Sequence, residues 1–224
     1  MSAAKSFPVV PANVRAAVFD LGGVLIEGGP GEVVAFGNRV GIDGDLWRGI
    51  RRELFGNEGS WAMLERGEIP YSDFIDELKQ RLADAGVEVG DEQAHTFLGS
   101  PRPLGSTDGI RADMLDAVRQ LKTTMPTALL TNNVREWRDG WRRSLDLDGL
   151  FDVVIDSSEV GARKPEPRIY EITQEHLGVD PSGILFVDDI GQNLKAAKAL
   201  GWQTLLFENT DDTLRVLREV IAGR

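Results

Sequence analysis

The chain of 224 residues contains no cysteine. That absence removes disulfides, thiolate nucleophiles and zinc–thiolate centres together. Histidine is nearly absent as well: His95 and His176 are the two present. Each sits in a helix-like stretch ("DEQAHTFL", "YEITQEHLGV"), where a structural role is the simpler reading, so a Ser-His-Asp triad has little to draw on. Long apolar runs are missing too, none approaching the roughly 20 residues of a membrane span. Positive charge is in deficit, with 25 Lys and Arg against 36 Asp and Glu and a net charge of -11. Nucleic acid, whose phosphates need a basic footprint, is therefore disfavoured as a partner. The opening "MSAAKSFPVVPANVR" holds one lysine, and prolines where a signal peptide needs a continuous apolar core. Residues 1–14 read as a mobile lead-in, and cytoplasm as the compartment.

What is present is alternation. Short β-branched runs at 16–20 ("AAVFD"), 127–131 ("TALLT"), 153–156 ("VVID"), 184–188 ("ILFVD") and 203–207 ("QTLLF") are separated by amphipathic stretches, the pattern of a parallel α/β sheet. Apolar residues at helical spacing mark core-facing helices: Met114, Leu115, Val118 and Leu121; Leu194, Ala197 and Leu200; Leu214, Leu217 and Ile221. Between about 27 and 109 no strand pattern occurs. Helix candidates fill that interval, one around Leu46, Trp47, Ile50 and Leu54 and another around Phe74, Ile75, Leu78 and Leu82. The expected organisation is a core of residues 15–26 and 110–224 interrupted by a helical domain of 27–109. Gly/Pro-rich joints, "EGGPGE" and "GSPRPLGSTDG", stand at its two ends. Trp47, Phe55, Trp61 and Tyr71 in that insert read as its own small core, because an all-helical insert must bury something to hold its shape.

Four of the five strand candidates end in or beside a polar residue, and open α/β sheets bind ligands at the carboxyl ends of their strands. Those ends bring together Asp20, then Thr131 and Asn132 of "LLTNN", then Lys164 of "GARKPEPRIY", then Asp188 and Asp189 of "FVDDIGQN". Singly, each has a plain structural role: closing a strand, capping a helix or forming a turn. Together they do not, because carboxylates at two buried strand ends repel unless something positive lies between them. A hard divalent cation answers that need, and Mg²⁺ fits Asp20, Asp189 and a backbone carbonyl. A hydroxyl, an amide, a lysine and the amides of a glycine-rich turn would hold a phosphate. A carboxylate beside that phosphate can attack it, giving an aspartyl phosphate.

At this point the sequence resembles the haloacid dehalogenase (HAD) superfamily of hydrolases. "VFDLGGVL", "LLTNN", the Lys164 segment and "FVDDIGQN" are similar to its four motifs, in order. "VGARKPEPRIY" and the later "FVDDIGQNLKAAKALGWQTLLFENTDDTL" resemble the branch containing the N-terminal phosphatase domain of soluble epoxide hydrolases, and "LERGEIPYSDFIDEL" is similar to the helical cap of that branch. The resemblance implies a Rossmann-like parallel core with an inserted helical cap and a Mg²⁺-dependent phosphatase acting on a small phosphorylated metabolite. It implies Asp20 as nucleophile and metal ligand, Thr131 and Asn132 on the phosphoryl group, and Lys164 offsetting charge. Asp189 would be a direct metal ligand, Asp188 one through water or a partner behind the ligands, or the two with these roles exchanged, and Asn193 a support. Whether the chain is a monomer or a homodimer is left open.

One position departs from the pattern. Phosphatases of the family carry a second Asp two residues after the nucleophile; here that residue is Gly22. Its carbonyl keeps the metal-binding task, while the side-chain acid/base task, worth roughly 10²- to 10⁴-fold, is gone. Substrates with good leaving groups, such as anomeric or acyl phosphates, are favoured by that loss, and Glu27 is a weak substitute donor. The alternatives are a metal-independent 2-haloacid dehalogenase and a non-hydrolytic binder. Trp137 and Trp141, one helical turn apart, offer the binder a contact surface.

Overall fold

The structure is a computed structural model describing residues 11–28, 31–98 and 107–223. Most of the lead-in, residues 29–30 of the first Gly/Pro-rich joint and residues 99–106 of the second lie outside those residues. Five strands form one parallel sheet: β1 (Ala16–Phe19), β2 (Thr127–Thr131), β3 (Val153–Asp156), β4 (Ile184–Asp188) and β5 (Gln203–Leu206), in the order β3-β2-β1-β4-β5. The order reverses beside β1, which pairs with β2 on one side and β4 on the other. In a doubly wound sheet the crevice at such a reversal is where ligands bind. β1 and β5 each stop one residue short of the sequence expectation. The ladder nonetheless reaches the first acid, since the Asp20 amide donates to the Val187 carbonyl at 3.0 Å.

Successive strand residues point to opposite faces, so β1 feeds two cores. Ala17 and Phe19 join one cluster with α6 (Ala112–Lys122) and α12 (Thr210–Ala222). Ala16 and Val18 join the other, with α10 (Pro167–Leu177) and α11 (Gly191–Ala199). With both faces covered, β1, β2 and β4 are buried throughout. Shorter helices α7 (Arg138–Ser144), α8 (Leu147–Leu150) and α9 (Ser157–Val160) lie in the connections flanking β3.

Between β1 and β2 run α1 (Gly31–Val40), α2 (Gly44–Leu54), α3 (Ser60–Glu65), α4 (Tyr71–Asp84) and α5 (Asp91–Ala94), with no strand among the described residues of the insert. Asp43 caps α2, its carboxylate accepting from the amides of Asp45 and Leu46. This insert has its own apolar cluster, including Phe36, Trp47, Phe74, Leu78 and Phe97, to which the sheet side adds Val134. Phe55, Trp61 and Tyr71 pack against it, which gives those aromatics the core role expected of them. Periodicity misplaced one residue: Leu46 is 52% exposed, because Trp47 takes the inward position on α2.

Candidate active site

The turn after β1 sets the first acid in place. Leu25 and Ile26 donate to the Leu21 carbonyl, and Gly23 donates to Ile26, closing a compact loop. Gly23 has φ +82°, and a Cβ there would stand 2.2 Å from Asp189 Oδ2, so both backbone freedom and close approach require glycine. Gly22 is different: a Cβ on it meets nothing within 4 Å. The missing acid is thus a matter of sequence, not of space. The turn's amides are less available to an anion than its glycines suggest, since Leu21 is bonded to Asp20 Oδ1 at 2.7 Å and Gly23 to Ile26.

Asp20, Asp188 and Asp189 converge, one carboxylate oxygen from each lying within 4.8 Å of the others. Lys164, 1% exposed, places its ammonium between two of them, 2.7 Å from Asp20 Oδ1 and 2.8 Å from Asp188 Oδ2. Asp188 is held further by the Ile190 amide at 2.7 Å and by both contacts of Asn193 Nδ2 at 3.1 Å. Tyr170 fixes Asn193 in turn by donating to its carbonyl. Asp189 has no such company: its Oδ1 is buried without a hydrogen-bond partner. Leaving a buried acceptor unpaired is costly, and an all-oxygen donor set with one orphaned carboxylate oxygen suits a hard divalent cation.

Electrostatics agree with that geometry. Burial pushes the Asp20 carboxyl up to about 7, against which Lys164 pulls, while Asp188 and Asp189 push further. Asp189 is raised by burial and then by Asp188. For Lys164, burial disfavours the charge, yet the Asp188 and Asp20 carboxylates outweigh it and hold its pKa above the ordinary value. One ammonium among three acids leaves negative charge uncompensated.

Thr131, 2% exposed, ends β2, and its hydroxyl makes one long contact, 3.4 Å to the Asn132 carbonyl. The Asn132 amide is more fully engaged. Its Oδ1 accepts from the Lys164 amide at 2.8 Å, and its Nδ2 donates to the Lys164 carbonyl at 2.9 Å and to Glu65 Oε2 at 3.2 Å. Asn132 therefore clamps the backbone that carries the lysine. The structure brings together Asp20, Gly22, Thr131, Asn132, Lys164, Asp188, Asp189 and Asn193 around the ends of β1, β2 and β4. Glu27 is exposed at the end of the turn.

Two participants escaped the sequence reading. Glu65, the last residue of α3, is 7% exposed and pairs with Arg163 at 2.5 Å. Their separation along the chain left no local pattern to notice. The histidines are structural: His95 lies against Tyr71, and His176 Nδ1 is 2.8 Å from the Ile172 carbonyl one turn back. The two tryptophans do not form an exposed pair. Trp137 sits with Trp61 and Tyr71, while Trp141 packs on the sheet core. A cavity of about 560 Å³ lies where the insert meets the Lys164 loop, lined by Met63, Arg66, Arg163, Pro165 and Glu166 among others. None of the three acids lines it, so it is not the seat of the chemistry.

A parallel sheet with a carboxylate–lysine cluster at its topological reversal is an α/β fold with a polar site where such sheets bind ligands. The sequence model of the haloacid dehalogenase-like hydrolases matches residues 14–201, and the chain belongs to that family. It is 34% identical over 224 aligned residues to bifunctional epoxide hydrolase 2 of Sus scrofa, the match covering 92% of this chain and 39% of that protein. The chain thus spans about two fifths of the length of that relative. It is 27% identical to D-ribitol-5-phosphate phosphatase of Bacteroides thetaiotaomicron, covering 93% of this chain and 98% of that one. Among solved structures, the HAD family enzyme bt-2542 of Bacteroides thetaiotaomicron, in complex with magnesium and inorganic phosphate, superposes with a TM-score of 0.62 at 24% identity. That match covers 89% of this chain and 98% of that one. Among the described residues no helix is long and apolar enough to cross a membrane.

Proposed function

We propose that the chain is a Mg²⁺-dependent phosphatase for a small phosphorylated metabolite in the cytoplasm, working through an aspartyl phosphate on Asp20. The observation that carries this reading is the triad of acids around one buried lysine, with Asp189 Oδ1 orphaned. The phosphatase relatives and the magnesium and phosphate held by bt-2542 support it. Asp20, Asp189 and the Gly22 carbonyl would hold the ion, with Asp188 behind them, and Asn193 keeping Asp188 in place. When bound, magnesium would neutralise the paired acids and draw charge from the phosphoryl oxygens.

A carboxylate oxygen of Asp20 attacks phosphorus, the bond to the leaving oxygen breaks, and water then cleaves the acyl phosphate, returning Asp20 and releasing inorganic phosphate. Thr131 donates its hydroxyl to the phosphoryl group, and Lys164 offsets the charge that develops beside Asp20. Asn132 holds the lysine loop, and it reaches the phosphoryl group only by exchanging one of its present bonds. Gly22 offers no proton to the departing oxygen, so leaving groups that depart as anions are favoured. The insert, residues 27–109, serves as the cap over the strand ends, with the sheet core at 15–26 and 110–224.

A screen of phosphorylated metabolites with Mg²⁺ tests the reading, with Asp20→Asn as control. Wild type turns over at least one of them, and Asp20→Asn loses activity by roughly 10⁴-fold or more. Equal inactivity of the two proteins across the panel overturns it. Glucose 1-phosphate is expected to react faster than glucose 6-phosphate, and equal rates remove the leaving-group argument. Turnover of chloroacetate that survives EDTA would replace the phosphatase with the dehalogenase.

A further inference from the structure

Among the described residues, the insert buries one polar side chain, that of Glu65. Its carboxylate takes donors from two directions. Arg163 Nε approaches Oε2 at 2.5 Å, and Asn132 Nδ2 approaches the same oxygen at 3.2 Å, while Trp61 stands one turn earlier on α3. Trp61 is itself locked in the insert's aromatic cluster, with ring centroids 5.1 Å from Phe74, 5.5 Å from Phe97 and 5.6 Å from Phe55. Arg163 and Lys164 are neighbours in the loop that presents the ammonium to Asp20. A continuous chain of contacts therefore runs from the insert's core, through one carboxylate, to the backbone that aims the lysine.

We propose that Glu65 is a positioning residue that couples packing of the helical insert to the placement of the Lys164 ammonium. The chemistry of the amide makes the coupling specific. The Asn132 side chain fits its slot in one orientation, with Oδ1 on the Lys164 N–H and Nδ2 toward the Lys164 carbonyl. An ionised carboxylate only accepts, so Glu65 holds the NH₂ end toward itself and rejects the flipped amide, which would set oxygen against oxygen. Burial pushes the Glu65 carboxyl up, and the Arg163 guanidinium pulls against that through a charge-assisted bond between side chains 10% and 9% exposed. A small tilt of the insert is thereby transmitted to the catalytic lysine by hydrogen bonds instead of being absorbed by water. The insert need not touch Asp20 for this to hold.

The inference rests on the phosphatase reading for its kinetic consequence, but the coupling itself can be read without turnover. In Glu65→Gln, the amide can turn its own NH₂ toward Asn132, and the Lys164 backbone amide loses its fixed acceptor. Hydrogen exchange at the Lys164 amide is expected to quicken by roughly tenfold in a folded Glu65→Gln protein, one tenfold step being about 1.4 kcal/mol. With p-nitrophenyl phosphate and Mg²⁺, kcat is expected to fall by roughly 10- to 100-fold while KM changes by less than about threefold, as for a displaced catalytic group. Unchanged exchange at Lys164 overturns the coupling. A double variant, Glu65→Leu with Arg163→Met, separates positioning from mere stability, because an apolar pair often replaces a buried ion pair without loss of stability. If that variant regains the wild-type melting temperature and also the wild-type kcat, the positioning role is wrong; regained stability with low kcat supports it. Failure of the wild type to hydrolyse any phosphomonoester would remove the phosphatase reading and leave the exchange result standing on its own.

Discussion

The sheet core and the helical insert are both built on buried apolar side chains, yet they bury charge in different ways. The core gathers the buried side chains of Asp20, Thr131, Lys164, Asp188 and Asn193 at one end of three neighbouring strands. The insert places aromatics where the core places acids and, among the described residues, buries Glu65 as its single polar side chain. Buried charges persist only where partners answer them. In the core those partners are each other and a lysine; in the insert, the partner of Glu65 lies outside it, in the Lys164 loop. The proposed chemistry therefore sits in the core, and the insert reaches the Lys164 loop through two ion pairs, the buried Glu65–Arg163 and the more exposed Arg66–Glu166.

The severest challenge to this division is to remove the charge at the centre. Lys164→Met leaves Asp20 and Asp188 buried against each other with no cation, which costs about 3 to 5 kcal/mol of stability. The expected outcome in chemical denaturation without metal is a transition moved to much lower denaturant, together with loss of phosphatase turnover. A variant as stable as wild type would mean that the lysine is not the counter-charge the geometry makes it. The matching cut in the insert is Phe74→Ala, which opens a hole among Phe55, Trp61 and Phe97. Its stability loss is of similar size, about 3 to 5 kcal/mol. If core and insert divide the work in this way, kcat per folded molecule then falls far less than in Lys164→Met. An equal collapse of kcat would show the insert supplying more than its ion pairs to the Lys164 loop.

The legible parts of the molecule follow the same division. Buried strands announce themselves as short apolar runs, and their polar ends stand next to them in sequence, so all five strands and the acids of β1 and β4 could be read in advance. The ends of β1 and β5 could not be fixed to the residue, because the hydrogen bonds continue one residue past each strand, through the amides of Asp20 and Phe207. Two of the insert's helices, α2 and α4, were legible, but which side of α2 faced inward was not: Leu46 and Trp47 are adjacent, and only packing decides between them. Glu65 and Arg163 were hidden for a stronger reason. Each looks like an ordinary surface charge in its own segment, and what buries them is a contact between segments 98 positions apart.

Gly22 allows the core to be tested without disturbing the insert. A Cβ there meets nothing within 4 Å, and its φ is not in the left-handed range, so Gly22→Asp should fold as the wild type does. Restoring a positioned acid is worth roughly 10²-fold on a poor leaving group such as a sugar 6-phosphate, and much less on an anomeric phosphate. Absence of any gain on the poor leaving group would mean that protonation was never the limiting step.

The smallest effect expected is also the one that isolates the acids from everything else. Asp20 titrates near 7 in the fold against an ordinary value of 3.8, burial being the main cause. The folded chain then keeps a proton that the unfolded chain has released, so stability falls as pH rises from 3.8 to about 7 and levels off above that. A divalent cation favours the ionised carboxylates and so returns most stability where the folded chain would otherwise hold a bare charge. Melting temperatures measured at pH 5 and pH 8, each with and without Mg²⁺, should therefore show a larger Mg²⁺ increment at pH 8. Asp189→Asn, which removes the orphaned oxygen's charge and leaves the insert untouched, should shrink that increment. Glu68→Gln, which alters an exposed partner of Arg66, should leave it unchanged. An increment equal at both pH values, or equal in all three proteins, would place the cation somewhere other than among these carboxylates.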